Sequence, residues 1–210
     1  MESPVKFWNK MSKSYDSNVY EKYKPVYDET IALTRKYLDK NDCILDFACG
    51  TGSVTLELSG AVRQILAIDI SDQMIAVANS KAAERNILNV EFRNIGIFDQ
   101  ELEPGSFDVI LAFNILQFIK NEDVLLDRIT RLLSERGIFI QATDCHSEYW
   151  SYKALIMKIL SRIGYFPYIR SWTIRELEKS LTINHFKILE TKLLYEMPVN
   201  YFIAAKKAKT

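Results

Sequence analysis

The chain has 210 residues, 48% of them apolar and 26% charged, with only 7 glycines and 5 prolines. This composition suits one folded domain with a sizeable core and excludes a disordered or fibrous chain. Acidic and basic residues number 27 each, so the net charge is zero and nothing draws the chain to nucleic acid.

In chain order, residues 1–40 carry the aromatics Phe7, Trp8, Tyr15, Tyr20, Tyr23 and Tyr27, then a helix expected to end near Leu38. A strand is predicted over Cys43–Ala48 and a second over Gln64–Ile68, both short apolar runs. Ser71 reads as the N-cap of a helix reaching about Arg85, with Met74, Ile75, Ala78 and Ala82 at helical spacing. Further strands are predicted at Val90–Arg93, Phe107–Phe113 and Gly137–Ala142. Glu122–Leu133 supplies a helix between the last two, and Glu135-Arg136-Gly137 the turn into the final one. This alternation of strand and helix indicates an α/β fold around a parallel sheet.

Beyond it, residues 147–172 are again aromatic: Tyr149, Trp150, Tyr152, Tyr165, Phe166, Tyr168 and Trp172. Within them the apolar segment Lys153–Ile163 is expected to be buried; a dimer contact or an interfacial face toward a lipid-like molecule are the other readings. Thr173 and Glu176 form a capping box that opens a helix to about Leu181, with Asn184 expected to end it in a left-handed conformation. Phe186–Tyr195 and Val199–Lys206 are predicted as two closing strands.

Cys43, Cys49 and Cys145 show no metal-ligand spacing, so no metal site is expected. Met1 to Lys13 lacks the apolar stretch of a signal peptide, and no run is long enough to span a bilayer. A cytoplasmic protein without stable membrane insertion is the expectation, with a homo-oligomer permitted.

The strongest chemical signal is Ile44-Leu45-Asp46-Phe47-Ala48-Cys49-Gly50-Thr51-Gly52. An apolar strand passes into a turn whose glycines allow close approach of backbone to a ligand. The next strand ends in Asp69, placed to accept hydrogen bonds from ribose hydroxyls. A dinucleotide fingerprint starting at Gly50 would need a third glycine where the chain has Thr55, which weakens a pyridine-nucleotide oxidoreductase.

Written as Asp-x-Ala-x-Gly-x-Gly, the turn resembles motif I of the class I S-adenosylmethionine-dependent methyltransferases. Ala67-Ile68-Asp69-Ile70-Ser71-Asp72-Gln73-Met74 resembles the family's second motif, and Phe107-Asp108-Val109-Ile110 its fourth strand. Leu132-Leu133-Ser134-Glu135-Arg136-Gly137 is similar to its approach to the fifth strand. The resemblance covers roughly residues 40–206. It implies a Rossmann-like, doubly wound, seven-stranded and mainly parallel sheet of order 3-2-1-4-5-7-6, closed by an antiparallel hairpin.

A single methyltransferase domain then divides into an N-terminal helical lid (1–40), a donor-binding core (41–146), a helical cap (147–172) and a C-terminal helix with closing strands (173–210). S-adenosylmethionine is the implied cofactor and a small molecule the implied methyl acceptor. Asp46 would lie near the donor's amino end, with Ala48, Gly50 and Gly52 bringing backbone against its methionine part. Asp69 would hold the ribose, Ile70 would pack on adenine, and Gly96 and Ile97 would close the other adenine face. Asn114, after the fourth strand, completes the implied donor-binding set.

Two departures stand out. Gly96 falls where many relatives carry an acidic residue, with Asp99 three positions on, and Asn114-Ile115-Leu116 is not followed by the histidines found in many small-molecule enzymes. No general base is therefore evident. The catalytic candidates are Tyr15, resembling a lid tyrosine, and His146 in Thr143-Asp144-Cys145-His146, whose competing reading is a solvated loop residue. A donor-binding regulatory protein without turnover is the alternative function. A nucleic-acid methyltransferase is disfavoured by the absence of an Asn/Asp-Pro-Pro-aromatic motif and of a Pro-Cys pair.

Overall fold

A computed structural model describes residues 3–148, 152–163 and 165–208. Its strands are β1 (Cys43–Phe47), β2 (Gln64–Ile68), β3 (Val90–Arg93), β4 (Phe107–Phe113), β5 (Leu133–Asp144), β6 (Phe186–Glu196) and β7 (Val199–Lys207). The helices are α1 (Pro4–Tyr15), α2 (Lys24–Arg35), α3 (Ser53–Leu58), α4 (Asp72–Glu84), α5 (Glu122–Leu132), α6 (Tyr152–Arg162) and α7 (Ile174–Ile183). A wider π-helical turn, Asp16–Tyr20, continues α1.

All seven strands form one sheet in the order β3-β2-β1-β4-β5-β7-β6. The β1, β2, β3, β4 and β5 pairings are parallel, while β7 runs antiparallel to both β5 and β6. The order implied by the motifs is therefore the order found. Burial on both faces explains the uninterrupted apolar character of β1, in which every residue is buried. One core contains Ile31, Leu56, Ile75 and Ala78 from α2, α3 and α4. Leu125, Ile129, Leu177 and Leu181 from α5 and α7 help form the other.

Local signals act where the sequence places them. Ser71 Oγ accepts from Met74 N at 3.1 Å and caps α4. Both halves of the Thr173–Glu176 capping box form, opening α7.

Four expectations change. The helix before β1 stops at Arg35, short of Leu38. Glu135-Arg136-Gly137 is no separate turn but an irregularity inside β5, which pairs with β4 at Leu133, loses register, and resumes at Ile138. The left-handed residue after α7 is His185 (φ 65), whereas Asn184 has φ −87. Finally, the apolar segment expected to be buried is not: Leu155, Ile156 and Ile159 on α6 and Ile163 just past it are each at least half exposed. Both sheet faces are already closed by other helices, and neither core includes a described side chain of α6. Tyr149 and Trp150 lie outside the described residues. No described helix is long and apolar enough to cross a membrane.

Candidate functional site

At the end of β1 the backbone turns left-handed at Ala48 (φ 58), Gly50 (φ 56) and Gly52 (φ 71). For alanine this conformation costs about 1–2 kcal/mol, so the surroundings must enforce it. They do so through Asp69, just beyond β2. Its Oδ2 accepts from Gly50 N at 3.0 Å and its Oδ1 from Ser71 N at 2.8 Å. Burial pushes the Asp69 carboxyl up, and backbone N–H bonds from Ser71 and Gly50 oppose the shift. One carboxylate thus ties the glycine turn to the start of α4.

Asp46, on β1 itself, is 3% exposed and accepts from Thr55 Oγ1 at 2.5 Å. Burial pushes its carboxyl up to about 7; the Thr55 bond lowers it, and nearby Asp69 adds to the rise. The two glycines have different tasks. A Cβ on Gly50 would meet nothing within 4 Å, leaving its surface free for a ligand. On Gly52 it would fall 2.7 Å from the Phe92 ring and 3.1 Å from Ala78 Cβ, so Gly52 serves helix–sheet packing. Gly52 does the packing that a dinucleotide fingerprint gives to its third glycine, and Thr55 is released to hold Asp46.

The N-terminal segment lies over this turn. Asp16 Oδ1 accepts from Thr51 Oγ1 (2.5 Å) and Ser53 Oγ (3.0 Å), and its Oδ2 pairs with Lys81 Nζ (2.9 Å). Asn9 accepts from Ser71 Oγ at 2.6 Å and donates to Asp72 Oδ1 at 2.7 Å. With α1 so fixed, Trp8 and Tyr15 face a hollow of about 70 Å³ bounded by Ala48, Gly50, Asp69, Ile70, Met74 and Asn114. A second, of about 50 Å³, reaches from Tyr15 and Asn114 to Asp46 and Thr51.

On the other side of Tyr15 and Asn114 is a larger cavity of about 250 Å³. Its walls are mainly aromatic, with Phe7 against Trp8 and Phe166 (both 5.1 Å) and Trp8 against Phe118 (5.3 Å), all edge-on. Polar groups gather at one end: Asp144 from β5, Asn200 from β7, and Asn114 and Gln117 after β4. Asn114 is left-handed (φ 55), a second strained strand end. Asn200 Oδ1 and Gln117 Oε1 are buried with no partner among the described residues, each at a cost of about 1–3 kcal/mol.

Of the residues singled out from the sequence, Ala48, Gly50, Asp69, Ile70, Asn114 and Tyr15 line one hollow, and Asp46 joins the adjoining one. Tyr15 lines all three spaces, and burial holds its phenol well above the usual range. Gly52 is drawn into packing, as above. Ile97 turns into the core at 3% exposure, and Gly96 packs beside Ile70 without lining the hollow. Asp99 caps its own turn by accepting from Glu101 N at 3.0 Å. His146 is not the solvated loop residue of the competing reading: its side chain is 9% exposed, with Nε2 3.9 Å from Asp144 Oδ2. Burial pushes the Cys145 thiol up to about 12, unsuited to a nucleophile.

Asp16, Gln117 and Asn200 escaped the sequence reading. Asp144 was passed over beside His146, although its position at a strand's carboxyl end is the signal that finds it.

Comparison with known proteins places the chain. Residues 38–188 match a family described as a methyltransferase domain. A ubiquinone biosynthesis O-methyltransferase of Rhodopseudomonas palustris is 28% identical over 187 residues, covering 79% of this chain and 71% of the relative. A malonyl-[acyl-carrier protein] O-methyltransferase of Bacillus cereus is 31% identical over 147 residues, covering 69% of this chain and 53% of the relative. The chain thus spans about half of that second protein. Geranyl diphosphate C-methyltransferase of Streptomyces coelicolor, solved with S-adenosyl-L-homocysteine, superposes with a TM-score of 0.71 at 14% identity. That match covers 86% of this chain and 78% of the other and shows likeness of fold.

The two glycines should separate in stability. Gly52→Ala is expected to lose roughly 2–4 kcal/mol, from left-handed strain plus overlap with Phe92, and Gly50→Ala only about 1–2 kcal/mol from the strain. Urea denaturation midpoints measure this; equal losses would contradict the division of tasks.

Proposed function

The chain belongs to the class I S-adenosylmethionine-dependent methyltransferases, and we propose that it methylates a small molecule held in the aromatic cavity. The observation that carries the reading is that Tyr15 and Asn114 line both the hollows at the glycine turn and the larger cavity. A donor on one side and an acceptor on the other would meet there. The names of the O-methyltransferase relatives support an acceptor that is a small molecule or a small group held on a carrier protein.

The residues at the turn fit the donor's chemistry. Gly50 leaves open surface, Ile70 is an exposed apolar side chain beside the hollow, and Asp69 keeps lone pairs that its two N–H bonds leave unused. On this reading Asp69 receives ribose hydroxyls, Ile70 packs on adenine, and Asp46 faces the cationic amino end. S-adenosylmethionine, when bound, supplies a methyl group already activated on a sulfonium. What the protein adds is alignment and exclusion of water, and alignment alone is worth up to about 7–11 kcal/mol. Segment 1–40 acts as the lid, with Trp8 and Tyr15 as its inner surface.

Calorimetry should show binding of S-adenosylmethionine and S-adenosylhomocysteine but not NAD; NAD alone binding would overturn the donor assignment. Transfer of labelled methyl to members of a small-molecule panel tests the acceptor class, and donor binding without turnover on any member would favour a regulatory protein. Asp69→Ala should weaken donor binding roughly ten- to a hundredfold, as charge-assisted bonds are lost.

Asp46 adds a pH signature. The folded chain holds its proton more tightly than the unfolded chain, so its contribution to stability is greatest below the ordinary carboxyl pKa and is lost as the pH rises through about 7. A cationic ligand favours the ionised form, so binding below pH 7 should release a proton. Donor affinity should then rise roughly tenfold between pH 5.5 and 7. Asp46→Asn should flatten that rise; an unchanged slope would remove Asp46 from the donor site.

A further inference from the structure

The polar end of the larger cavity is assembled across the β5–β7 pairing, which sets Asp144 opposite Asn200. Asn200 Nδ2 donates to Asp144 Oδ1 at 2.7 Å and to Asn114 Oδ1 at 2.8 Å. That bond fixes the Asp144 carboxyl by one oxygen. Its other oxygen, Oδ2, accepts no hydrogen bond from a described residue and has His146 Nε2 at 3.9 Å. Asn200 is 6% exposed and Gln117 2%, and the carbonyl oxygen of each amide is buried without a donor. A carboxylate oxygen short of hydrogens thus lies at one end of a mainly aromatic cavity, backed by two buried amide oxygens that also lack donors.

We propose that the cavity accepts an uncharged molecule of about one substituted ring carrying a hydroxyl, and that Asp144 is the catalytic residue that takes the hydroxyl proton. This rests on the methyltransferase reading above and adds to it the acceptor class and the base.

Size fits first. At about 250 Å³ the cavity exceeds the ~150 Å³ apolar cavity known to hold benzene, leaving room for a substituent. The walls of Phe7, Trp8, Phe118 and Phe166 suit a ring face or edge. Among the described residues no lysine or arginine lines the cavity, so a carboxylate or phosphate would meet the like charge of Asp144 there. A hydroxyl brings no charge and one proton.

The chemistry balances. As the acceptor oxygen's electron pair forms a bond to the methyl carbon, the O–H proton passes to Asp144 Oδ2. The carbon–sulfur pair stays on sulfur, leaving a methyl ether, a thioether and a protonated Asp144. Burial pushes the Asp144 carboxyl up, the direction that makes it a stronger base, while the Asn200 hydrogen bond and His146 oppose the shift. The other titratable groups facing the cavity are Tyr15 on α1, Tyr23 and Tyr27 at α2, and Tyr195 on β6; His146 and Cys145 follow Asp144 in the chain. Burial holds the Tyr15 and Tyr27 phenols above their usual range, so they stay protonated while Asp144 accepts.

Titration of the protein loaded with S-adenosylhomocysteine tests this by binding alone, using para-ethylphenol, its methyl ether para-ethylanisole, para-ethylbenzoate and para-ethylbenzylamine. The phenol should bind at least tenfold more tightly than each of the others. Asp144→Ala should abolish its advantage over the ether while leaving affinity for S-adenosylhomocysteine unchanged; if that variant does not fold, Asp144→Asn should reduce the advantage to under threefold. Asn200 is a positioning residue whose hydrogen bond lowers the Asp144 pKa. Asn200→Ala should therefore move the onset of phenol preference to higher pH, a shift that mere loss of packing would not give. Equal binding of phenol and ether, tighter binding of the benzoate or the amine, or binding of none of the four overturns the proposal. Failure of S-adenosylhomocysteine to bind wild-type protein would instead sink the donor reading, and this proposal with it.

Discussion

Three carboxylates taken out of water at the carboxyl edge of one sheet set the terms for the rest of the site. Asp46, Asp69 and Asp144 belong to β1, the end of β2, and β5, and burial raises the pKa of each. Among the described residues, none forms an ion pair with lysine or arginine. Each is held instead by neutral donors: the Thr55 hydroxyl, the Gly50 and Ser71 backbone, and the Asn200 amide. Neutral donors fix a carboxylate in place without satisfying its charge. A protein gains little stability from such an arrangement. It gains groups ready to meet a cation, a diol or an acidic hydrogen.

The surrounding architecture holds these groups in place. Left-handed Ala48 and Asn114 bend the chain sharply away from β1 and β4, opening space at neighbouring strand ends. Gly52 allows α3 to start close to Phe92, which keeps the turn compact. Asp16 and Asn9 then attach the N-terminal helix to that turn and to the cap of α4 by side chains alone. Tyr15 becomes a partition between two spaces because α1 is fixed at both of these points.

Much of this was legible from local chemistry. Short apolar runs gave the five parallel strands, and Ser71 and the Thr173–Glu176 pair marked helix starts because capping depends only on nearby backbone. The glycine turn and Asp69 were readable for the same reason. The pairing of Asp144 with Asn200 was not, since 56 residues separate them and only the antiparallel register of β5 and β7 makes them neighbours. The packing task of Gly52 was hidden, because spacing says nothing about Phe92, which comes from another strand. The apolar pattern of α6 suggested burial, but pattern does not reveal that the sheet faces are already occupied. His185, not Asn184, took the left-handed position, a one-residue choice at the edge of what composition can specify.

The partition at Tyr15 and Asn114 also separates two inheritances. The side at the glycine turn draws mostly on the β1–β2–α4 stretch, whose geometry tolerates few substitutions. Most of the cavity beyond the partition is supplied by α1, α2, the segment around Phe166 and the β6–β7 hairpin, together with the ends of β4 and β5. Side chains in those outlying elements can change size or polarity without disturbing the bond between Asp69 and Gly50. With the acceptor in the larger cavity, as proposed, a lineage of such proteins can keep one methyl source while drifting from acceptor to acceptor.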